Sequence, residues 1–290
     1  MIELAIVSGK GGTGKTTVSA SFSVLAKNKI IADCDVDAPD LHLLLKPEIL
    51  IKKDFFGMKK AYIDKDSCIE CGICIDVCRF DAISPDYVVD TALCEGCEVC
   101  FTQCPVKVIE MRENKAGEYF VSETPYGKMV HGLLGVGEEN SGKLVAIIRN
   151  VARYYAEKEK TDYIIVDGPP GIGCPVNSTL SGLKYAVGVT EPTESGLSDL
   201  KRLMELFHHF KIKPFIIINK SDLNPEMSER IKRESIEEGA IFLGDIPFDP
   251  VVVESLKMGK PVVIYEKESK AKNIMIELWD KIETYLNKEI

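Results

Sequence analysis

The 290-residue sequence has few of the features that mark membrane-spanning, secreted or nucleic-acid-binding proteins. No apolar run is long enough to cross a bilayer, and the first residues, MIELAIVSGKGG, lack the basic segment of a signal peptide. Basic residues are outnumbered by acidic ones, 36 to 45, which argues against a nucleic-acid partner or an anionic membrane surface. Histidine is scarce, and His131, His208 and His209 form no cluster. We therefore expect a cytoplasmic protein with neither a nucleic-acid nor a membrane partner.

Cysteine, in contrast, is abundant: the chain has ten, and eight lie between Cys68 and Cys104. A cytoplasmic protein has little use for disulfides and normally keeps so many thiols for metal or redox chemistry. The pattern of the first four recurs 26 residues later without insertion or deletion, which indicates two tandem copies of one small unit. The repeated cysteines are Cys68, Cys71, Cys74 and Cys78, then Cys94, Cys97, Cys100 and Cys104.

The cysteine repeat lies in an acidic segment. Residues 61–113 contain eleven acidic and four basic side chains, so −7 of the net charge of −9 belongs to them. We predict that 61–113 form an inserted domain, whereas 1–60 and 114–290 form the main domain. Two irregular segments, 46–60 and the glycine-rich 114–142, are predicted to connect the two.

Outside the insert, short apolar runs alternate with longer stretches of helical spacing. This alternation predicts an α/β fold with a doubly wound, mainly parallel sheet covered by helices on both faces. The predicted strands are 2–7, 29–33, 163–166, 186–189, 215–218, 242–246 and 262–264. The predicted helices are 16–27, 40–45, 143–160, 197–209, 225–238 and 271–287.

A glycine-rich loop follows the first predicted strand and opens the first predicted helix. Its residues are Gly9, Lys10, Gly11, Gly12, Thr13, Gly14, Lys15 and Thr16, followed by Thr17. They match the phosphate-binding pattern G-x-x-x-x-G-K-[ST], in which backbone N–H groups converge on phosphate oxygens. Lys15 then offers a positive charge, and the Thr16 hydroxyl is suited to Mg²⁺.

Three motifs together resemble the deviant Walker A ATPases, the family of MinD, ParA and the nitrogenase iron protein. They are Lys10 in the loop, Asp33-Cys34-Asp35-Val36-Asp37 after the second strand, and Asp167-Gly168-Pro169-Pro170-Gly171 after a later one. The resemblance implies an ATP-dependent homodimer in which Lys10 reaches the nucleotide of the partner subunit. It also implies that Asp35 activates water and that Asp167 holds Mg²⁺ through water. Asp33 and Asp37 could instead cap the following helix.

The base of the nucleotide has two candidate contacts. Asn219-Lys220-Ser221-Asp222 follows a predicted strand and could be read as the guanine motif N-K-x-D, yet the same family uses an Asn here for adenine. Pro247 and Asp249, after another strand, could flank the base on its other side. We favour ATP and ADP over GTP because Lys10 and the carboxylate motifs belong to the ATP-using family.

Each cysteine repeat has the spacing C-x-x-C-x-x-C-x-x-x-C, in which three thiolates bind one iron–sulfur cluster and the fourth binds the other. The spacing therefore predicts two [4Fe–4S] clusters with crossed ligands. One set is Cys68, Cys71, Cys74 and Cys104; the other is Cys94, Cys97, Cys100 and Cys78. The segment resembles a bacterial two-cluster ferredoxin, although Cys78 is followed by Arg79 where the pattern has proline. Structural zinc, or clusters with only a structural role, are the alternatives.

These features predict an ATPase that couples its nucleotide state to electron transfer from the clusters to an unidentified partner protein. An ATP-dependent iron–sulfur carrier and a redox-sensing regulatory ATPase are the alternatives. Cys174 lies where the nitrogenase iron protein has a cluster ligand, but we favour the interpretation of a packed free thiol. Cys34, between two carboxylates, is expected to be unreactive.

Overall fold

The structure, a computed structural model, describes residues 1–135, 137–138 and 141–288. The strands in this part of the chain are β1 (Ile2–Ser8), β2 (Lys29–Asp33), β3 (Glu48–Phe56), β4 (Lys60–Ile63), β5 (Ile109–Arg112), β6 (Lys115–Thr124), β7 (Gly127–Leu134), β8 (Tyr163–Pro170), β9 (Tyr185–Thr190), β10 (Lys213–Asn219) and β11 (Ile241–Ile246). The helices are α1 (Lys15–Leu25), α2 (Leu41–Leu45), α3 (Ile73–Asp76), α4 (Val99–Gln103), α5 (Ser141–Glu159), α6 (Cys174–Leu180), α7 (Glu194–His209), α8 (Pro225–Glu237), α9 (Pro250–Lys257) and α10 (Lys270–Lys288).

Nine strands form one sheet in the order β11-β10-β9-β1-β8-β2-β7-β6-β3. All neighbouring pairs from β11 to β7 are parallel, as expected when helices connect successive strands. The central strands β1, β8 and β9 are almost entirely buried, which explains their continuous apolar sequences. The predicted mainly parallel α/β fold is confirmed.

Two details of the predicted secondary structure are wrong. Val262–Ile264 form a short 3₁₀ helix rather than a strand. Val262 and Val263 are buried in the core, and a short buried apolar run has the same composition in either conformation. The segments 46–60 and 114–142, predicted to be irregular, contain β3, β6 and β7. Most of β3 is exposed, so its sequence lacks the polar and apolar alternation of a half-buried strand.

The last helix, α10, packs its apolar side against the sheet. Its Trp279 lies in the core next to Phe22 and Tyr163, with ring centroids 5.4 and 5.6 Å away. The same helix buries Met275, Leu278, Ile282 and Leu286. Of the helices that the structure describes, none is long and apolar enough to cross a membrane.

The chain divides into two compact units. The first contains Met1–Lys52, Tyr119–Leu133 and Ser141–Ile290, and the second contains Lys53–Glu118 and Leu134–Asn140. The second unit thus includes all of the predicted insert, 61–113, and extends beyond both of its ends. Its buried core is small and consists of Ala61, Ile63, Cys74, Ala82, Ile83, Cys94 and Ile109.

A buried histidine in β7 makes the stability of the first unit sensitive to acid. Burial lowers the pKa of His131 to about 4, and the neutral ring lies 2.9 Å from the Ser122 hydroxyl and stacks on Phe120. The unfolded chain therefore binds a proton that the folded chain does not between about pH 6.5 and 4. Acidification through this range should lower the free energy of unfolding by about 3 kcal/mol through His131 alone.

Denaturant unfolding of His131→Gln and wild type from pH 7 to 4 measures this effect. The variant should lose much less stability than wild type over that range, whereas His209→Gln, at an exposed position, should behave like wild type. Parallel pH profiles for H131Q and wild type would contradict the assignment.

Candidate functional site

The glycine-rich loop connects β1 to α1 and borders an open cavity with an empty volume of about 1140 Å³. Gly12 and Gly14 have φ angles of +79° and +91°, which side-chain-bearing residues rarely adopt. These turns bring the loop to the first turn of α1, where unpaired N–H groups and the helix dipole favour an anion. The predicted residues that line the cavity are Gly11, Gly12, Gly14, Lys15, Thr16, Thr17 and Asp35.

Gly9 and Thr13 have different surroundings from the other loop residues. A Cβ atom at Gly9 would lie 2.6 Å from the backbone oxygen of Asp199, so glycine permits the close approach of α7. Thr13 is buried, and its hydroxyl has no hydrogen-bond partner within the described structure. Its backbone oxygen accepts a hydrogen bond from Asn219.

The ammonium group of Lys15 joins two carboxylates at the carboxyl ends of β2 and β8. Its Nζ lies 2.8 Å from Oδ1 of Asp167 and 3.5 Å from Oδ2 of Asp35. Burial lowers the pKa of Lys15, but Asp167 and Asp35 outweigh burial, so its pKa is raised and the side chain is charged. Ser19 of α1 donates a second hydrogen bond to Asp167 Oδ1, at 2.7 Å. The structure thus brings together Lys15, at the beginning of α1, with Asp35 and Asp167.

Asp33 has a partly structural environment. Its Oδ1 accepts the backbone N–H of Asp35 at 3.1 Å, as a turn-capping carboxylate does. Burial, and then the neighbouring charge of Asp167, raise the pKa of Asp33 well above its ordinary range. Burial also raises the pKa of Asp35, although Lys15 opposes the shift.

The buried carboxylates retain unused ligand atoms. Oδ2 of Asp167 and Oδ2 of Asp33 are buried and accept no hydrogen bond from the described residues. A buried carboxylate oxygen without a partner is costly, and a hydrated divalent cation would satisfy it. The Thr16 hydroxyl borders the same cavity. These residues fit Mg²⁺ bound through water.

The Lys10 side chain contacts residues of its own chain. Its Nζ forms a 2.7 Å ion pair with Oε1 of Glu191, which follows β9, and a 2.8 Å hydrogen bond with Ser195. Lys220 lies 3.2 Å from the other oxygen of Glu191 and also contacts the Gly12 carbonyl. Burial raises the pKa of Glu191, but the two lysines outweigh this, so its pKa is lowered and the carboxylate is charged.

Of the three predicted base contacts, Asn219 ends β10 and is paired with Ile246, the residue before Pro247. The Asn219 amide donates to the Thr13 carbonyl at 2.8 Å, and a Cβ atom at Gly14 would collide with it. Asn219 therefore supports the phosphate loop directly. Pro247 and Asp249 line a different cavity, with Asp222 and Phe248. The Asp249 carboxylate accepts hydrogen bonds from Val251 N–H and from Ser269, so it caps α9.

In the second unit, the structure brings the eight repeated cysteines together as two separate sets. Cys68, Cys71, Cys74 and Cys104 line one cavity with an empty volume of about 310 Å³. Burial raises the pKa of Cys100, and the neighbouring Cys94, Cys97 and Cys78 raise it further. Each set therefore takes three cysteines from one repeat and one from the other.

The backbone repeats along with the cysteines. Ile63 pairs with Ile109 between β4 and β5, and Val89 pairs with Ile83 at an isolated bridge; each residue of one pair is 26 positions from a residue of the other. Left-handed residues recur at the same interval, at Glu70 and Gly96, Gly72 and Glu98, and Asp81 and Lys107. Each strand pairing joins the beginning of one repeat to the end of the other. The two repeats are therefore interleaved.

The first thiol set supplies donor atoms that fit an iron–sulfur cluster. Its four cysteines lie on the wall of a cavity that is also lined by Ile63, Ile69, Ile73 and Tyr87. Four thiols around such a mostly apolar pocket match the thiolate ligands of a [4Fe–4S] cluster.

The two remaining cysteines differ in exposure. Cys34 is buried, and burial raises its thiol pKa well above the ordinary value, which agrees with an unreactive residue. Cys174 is exposed at the beginning of α6, so the prediction of a packed thiol is wrong.

The sequence-based prediction did not identify Glu191 as a site residue, and it named Lys220 only within the Asn219–Asp222 motif. Both follow strands of the parallel sheet, which is the position that identified Asp35 and Asp167.

Known proteins resemble this chain over nearly its whole length. Residues 4–262 match the CobQ/CobB/MinD/ParA nucleotide-binding domain. An uncharacterized protein of Methanocaldococcus jannaschii is 33% identical over 291 positions, covering 99% of this chain and 98% of the relative. An iron–sulfur cluster carrier protein of Pyrococcus horikoshii is 26% identical over 97% of this chain and 85% of its own. Pyruvate synthase subunit PorD of Methanothermobacter marburgensis is 41% identical over 56 residues, which are 19% of this chain and 69% of the subunit.

The solved structures agree on the fold. The septum site-determining protein MinD of Pyrococcus horikoshii, complexed with Mg-ADP, superposes with a TM-score of 0.60 at 21% identity and covers 100% of this chain and 98% of its own. This similarity confirms the P-loop fold, and the domain match extends over most of the chain. The chain belongs to the CobQ/CobB/MinD/ParA nucleotide-binding family and is an ATPase of the MinD/ParA type.

Proposed function

We propose that the main domain, 1–60 and 114–290, binds ATP and Mg²⁺ in the cavity beside the glycine-rich loop. The loop N–H groups and Lys15 bind the phosphates, and Thr16 and the partnerless oxygen of Asp167 hold hydrated Mg²⁺. Asp35 lies across the Lys15 ammonium from Asp167, at the carboxyl end of the sheet, where it can orient the attacking water. Asn219 holds the loop and is also our candidate contact for adenine, with Pro247 and Asp249 as further candidates.

The insert, 61–113, holds two [4Fe–4S] clusters in this proposal. The crossed thiol sets and the interleaved repeats carry the assignment, and the similarity to a pyruvate synthase subunit supports it. Such clusters supply one-electron carriers of low potential when bound. The acidic surface of the insert would favour a basic redox partner.

We further propose that the ATP-bound form is a homodimer in which Lys10 leaves Glu191 and contacts the nucleotide of the partner subunit. ATP hydrolysis would then control electron transfer to an acceptor protein through dimer formation and dissociation. The 2.7 Å ion pair between Lys10 and Glu191 is the contact that dimer formation would break.

Replacing Glu191 by glutamine should therefore favour dimer formation. The pair is partly exposed, and such a pair contributes about 1 kcal/mol, so the ATP concentration for half-maximal dimer should fall about fivefold. Analytical ultracentrifugation across an ATP series measures this midpoint. Glu194→Gln, an exposed acid three residues away, is the matched control and should leave it unchanged. A higher midpoint for E191Q would show that Glu191 assists the dimer instead.

The coupling is tested on anaerobically purified protein. Iron and acid-labile sulfide are measured first, and absence of both would overturn the insert assignment. Dithionite-reduced protein is then mixed with oxidised cytochrome c, a basic haem protein, in the presence of MgATP, MgADP or no nucleotide. We expect oxidation rates that differ between MgATP and MgADP. Equal rates in all three conditions would contradict coupling.

A second candidate function is delivery of iron–sulfur clusters, favoured by the similarity to the carrier protein over nearly the whole chain. The same preparation distinguishes the two. Incubation with an apo-ferredoxin and MgATP should leave the iron on this chain if it transfers electrons, whereas ATP-dependent appearance of holo-ferredoxin would establish a carrier.

A further inference from the structure

The two thiol sets have the same cysteine spacing, but different polar groups contact their loops. Lys60, in β4, donates a 2.6 Å hydrogen bond from Nζ to the backbone oxygen of Cys94, the first cysteine of the second repeat. The side chain of Lys60 is only 9% exposed. Within the described residues, no carboxylate lies within ion-pair distance of its Nζ. A buried positive charge therefore lies beside the Cys94 set, without a close counter-charge.

The position of Lys60 is fixed by packing. Gly96, with φ +63°, lies so close to Lys59 that a Cβ atom there would collide with the Lys59 backbone oxygen. The cysteine loop and the beginning of β4 are thus in direct backbone contact. Lys60 can therefore act on the Cys94 set from a defined place, rather than as a flexible surface cation.

The other set has a neutral group in its neighbourhood. The Tyr87 hydroxyl donates a 2.6 Å hydrogen bond to the backbone oxygen of Glu70, between Cys68 and Cys71. The remaining surroundings of the cavity are mostly apolar side chains. The carbonyl oxygens of the two cysteine loops are therefore contacted by a cation in one set and by a phenol in the other.

This difference affects any group that gains an electron. Reduction adds one negative charge, which a nearby buried cation stabilises and an apolar wall does not. Exposed charges act more weakly because water and salt screen them. Glu95 and Glu98 oppose Lys60 in the Cys94 loop, but both are more exposed than Lys60. Arg112, opposite Lys60 in the sheet, is exposed and paired with Glu110.

We infer that Lys60 raises the reduction potential of the cluster site formed by Cys94, Cys97, Cys100 and Cys78 above that of the site formed by Cys68, Cys71, Cys74 and Cys104. The inference rests on the proposed function, because it requires that both sites hold clusters. An electron gained by the protein then occupies the Cys94 site preferentially. Lys60 acts as a positioning and tuning residue, since it contacts a ligand's backbone and not the thiol.

The test is a redox titration of the anaerobically purified full chain, followed by electron paramagnetic resonance. Wild type should show two one-electron waves. Lys60→Met removes the charge but keeps an unbranched side chain. It should lower the equilibrium constant for reduction of the higher-potential cluster about tenfold, which lowers its reduction potential by about 59 mV for a one-electron couple. The lower wave should not move. Lys60→Arg keeps the charge and should retain the wild-type separation.

Lys59→Met is the matched control, because it removes the same charge from an exposed neighbouring position. It should shift neither wave appreciably at moderate salt. Three results would overturn the inference while leaving the proposed clusters intact. In K60M, the reduction potential of the lower wave could shift, or both potentials could shift equally. The third result is an equal shift in K59M and K60M. If K60M binds less iron, K60R and K59M still test the inference. Loss of the difference between the two reduction potentials in K60R would contradict the role of the Lys60 charge. Protein without iron would overturn the proposed function itself.

Discussion

Replacing Lys15 by glutamine is expected to reduce the ATPase rate at least a hundredfold, on the order of the loss when one preorganised charge-stabilising group is removed. Lys15 lies 2.8 Å from Asp167 and 3.5 Å from Asp35 and is nearly buried. Without its charge, carboxylates that face the phosphate-binding loop would be left uncompensated, and the phosphates would lose their cationic partner. Steady-state phosphate release measures the effect.

The same substitution should lower stability, because removing one partner of a buried ionic group costs about 3 kcal/mol or more. The stability of K15Q and wild type is therefore measured by thermal unfolding alongside the ATPase rate. Lys15→Arg separates the two effects: the retained charge should preserve most of the stability, whereas the larger planar group should not restore hydrolysis. Lys27→Gln, at an exposed position, should match wild type in both assays. An ATPase rate within a few-fold of wild type for K15Q would refute the role of Lys15.

Substitution of single cysteines should remove about half of the iron, because in the proposed arrangement each set of four thiols would hold one of two equal clusters. Cys104→Ser takes one thiol from the set of Cys68, Cys71 and Cys74, with which it lines a cavity. Iron and acid-labile sulfide per chain are the measurements. Cys174→Ser, a cysteine outside both sets, should retain all of the iron.

Double variants test the crossed arrangement directly. Cys68→Ser combined with Cys104→Ser affects one set, so it should lose no more iron than either substitution alone. Cys94→Ser combined with Cys104→Ser affects both sets and should lose nearly all. If each cluster instead used four cysteines of one repeat, Cys94 and Cys104 would belong together, and the two outcomes would be exchanged.

The sequence was most informative where chemistry depends on a short, continuous motif. The loop from Gly9 to Thr16 could be predicted because its glycines, lysine and threonine act within one turn between a strand and a helix. The crossed sets of thiols are a prediction from a fixed spacing, which limits how far each cysteine can reach. Both patterns are local, and the structure places one thiol set at one cavity and Gly11, Gly12, Gly14, Lys15 and Thr16 at another.

Contacts between distant residues could not be read in this way. Lys10 forms an ion pair with Glu191, and Lys60 donates a hydrogen bond to the Cys94 carbonyl 34 residues away. Both contacts depend on packing that no local sequence pattern specifies. Edge strand β3 was missed because its exposed faces impose no regular alternation of polar and apolar residues. The short run Val262–Ile264 was assigned to a strand because burial, rather than conformation, determines its composition.

The interleaved repeats also set the order in which the protein can be completed during translation. The Cys94 site gains its last thiol with Cys100, and the other gains its last with Cys104, so both become complete within four residues of synthesis. Cys68, Cys71 and Cys74 leave the ribosome earlier but wait about 2 to 6 seconds for Cys104 at ordinary elongation rates. Partly formed sets of exposed thiols exist during that interval. Insertion of the proposed clusters would therefore follow synthesis of the whole cysteine segment, and premature metal capture or oxidation of these thiols would be the hazard for the nascent chain.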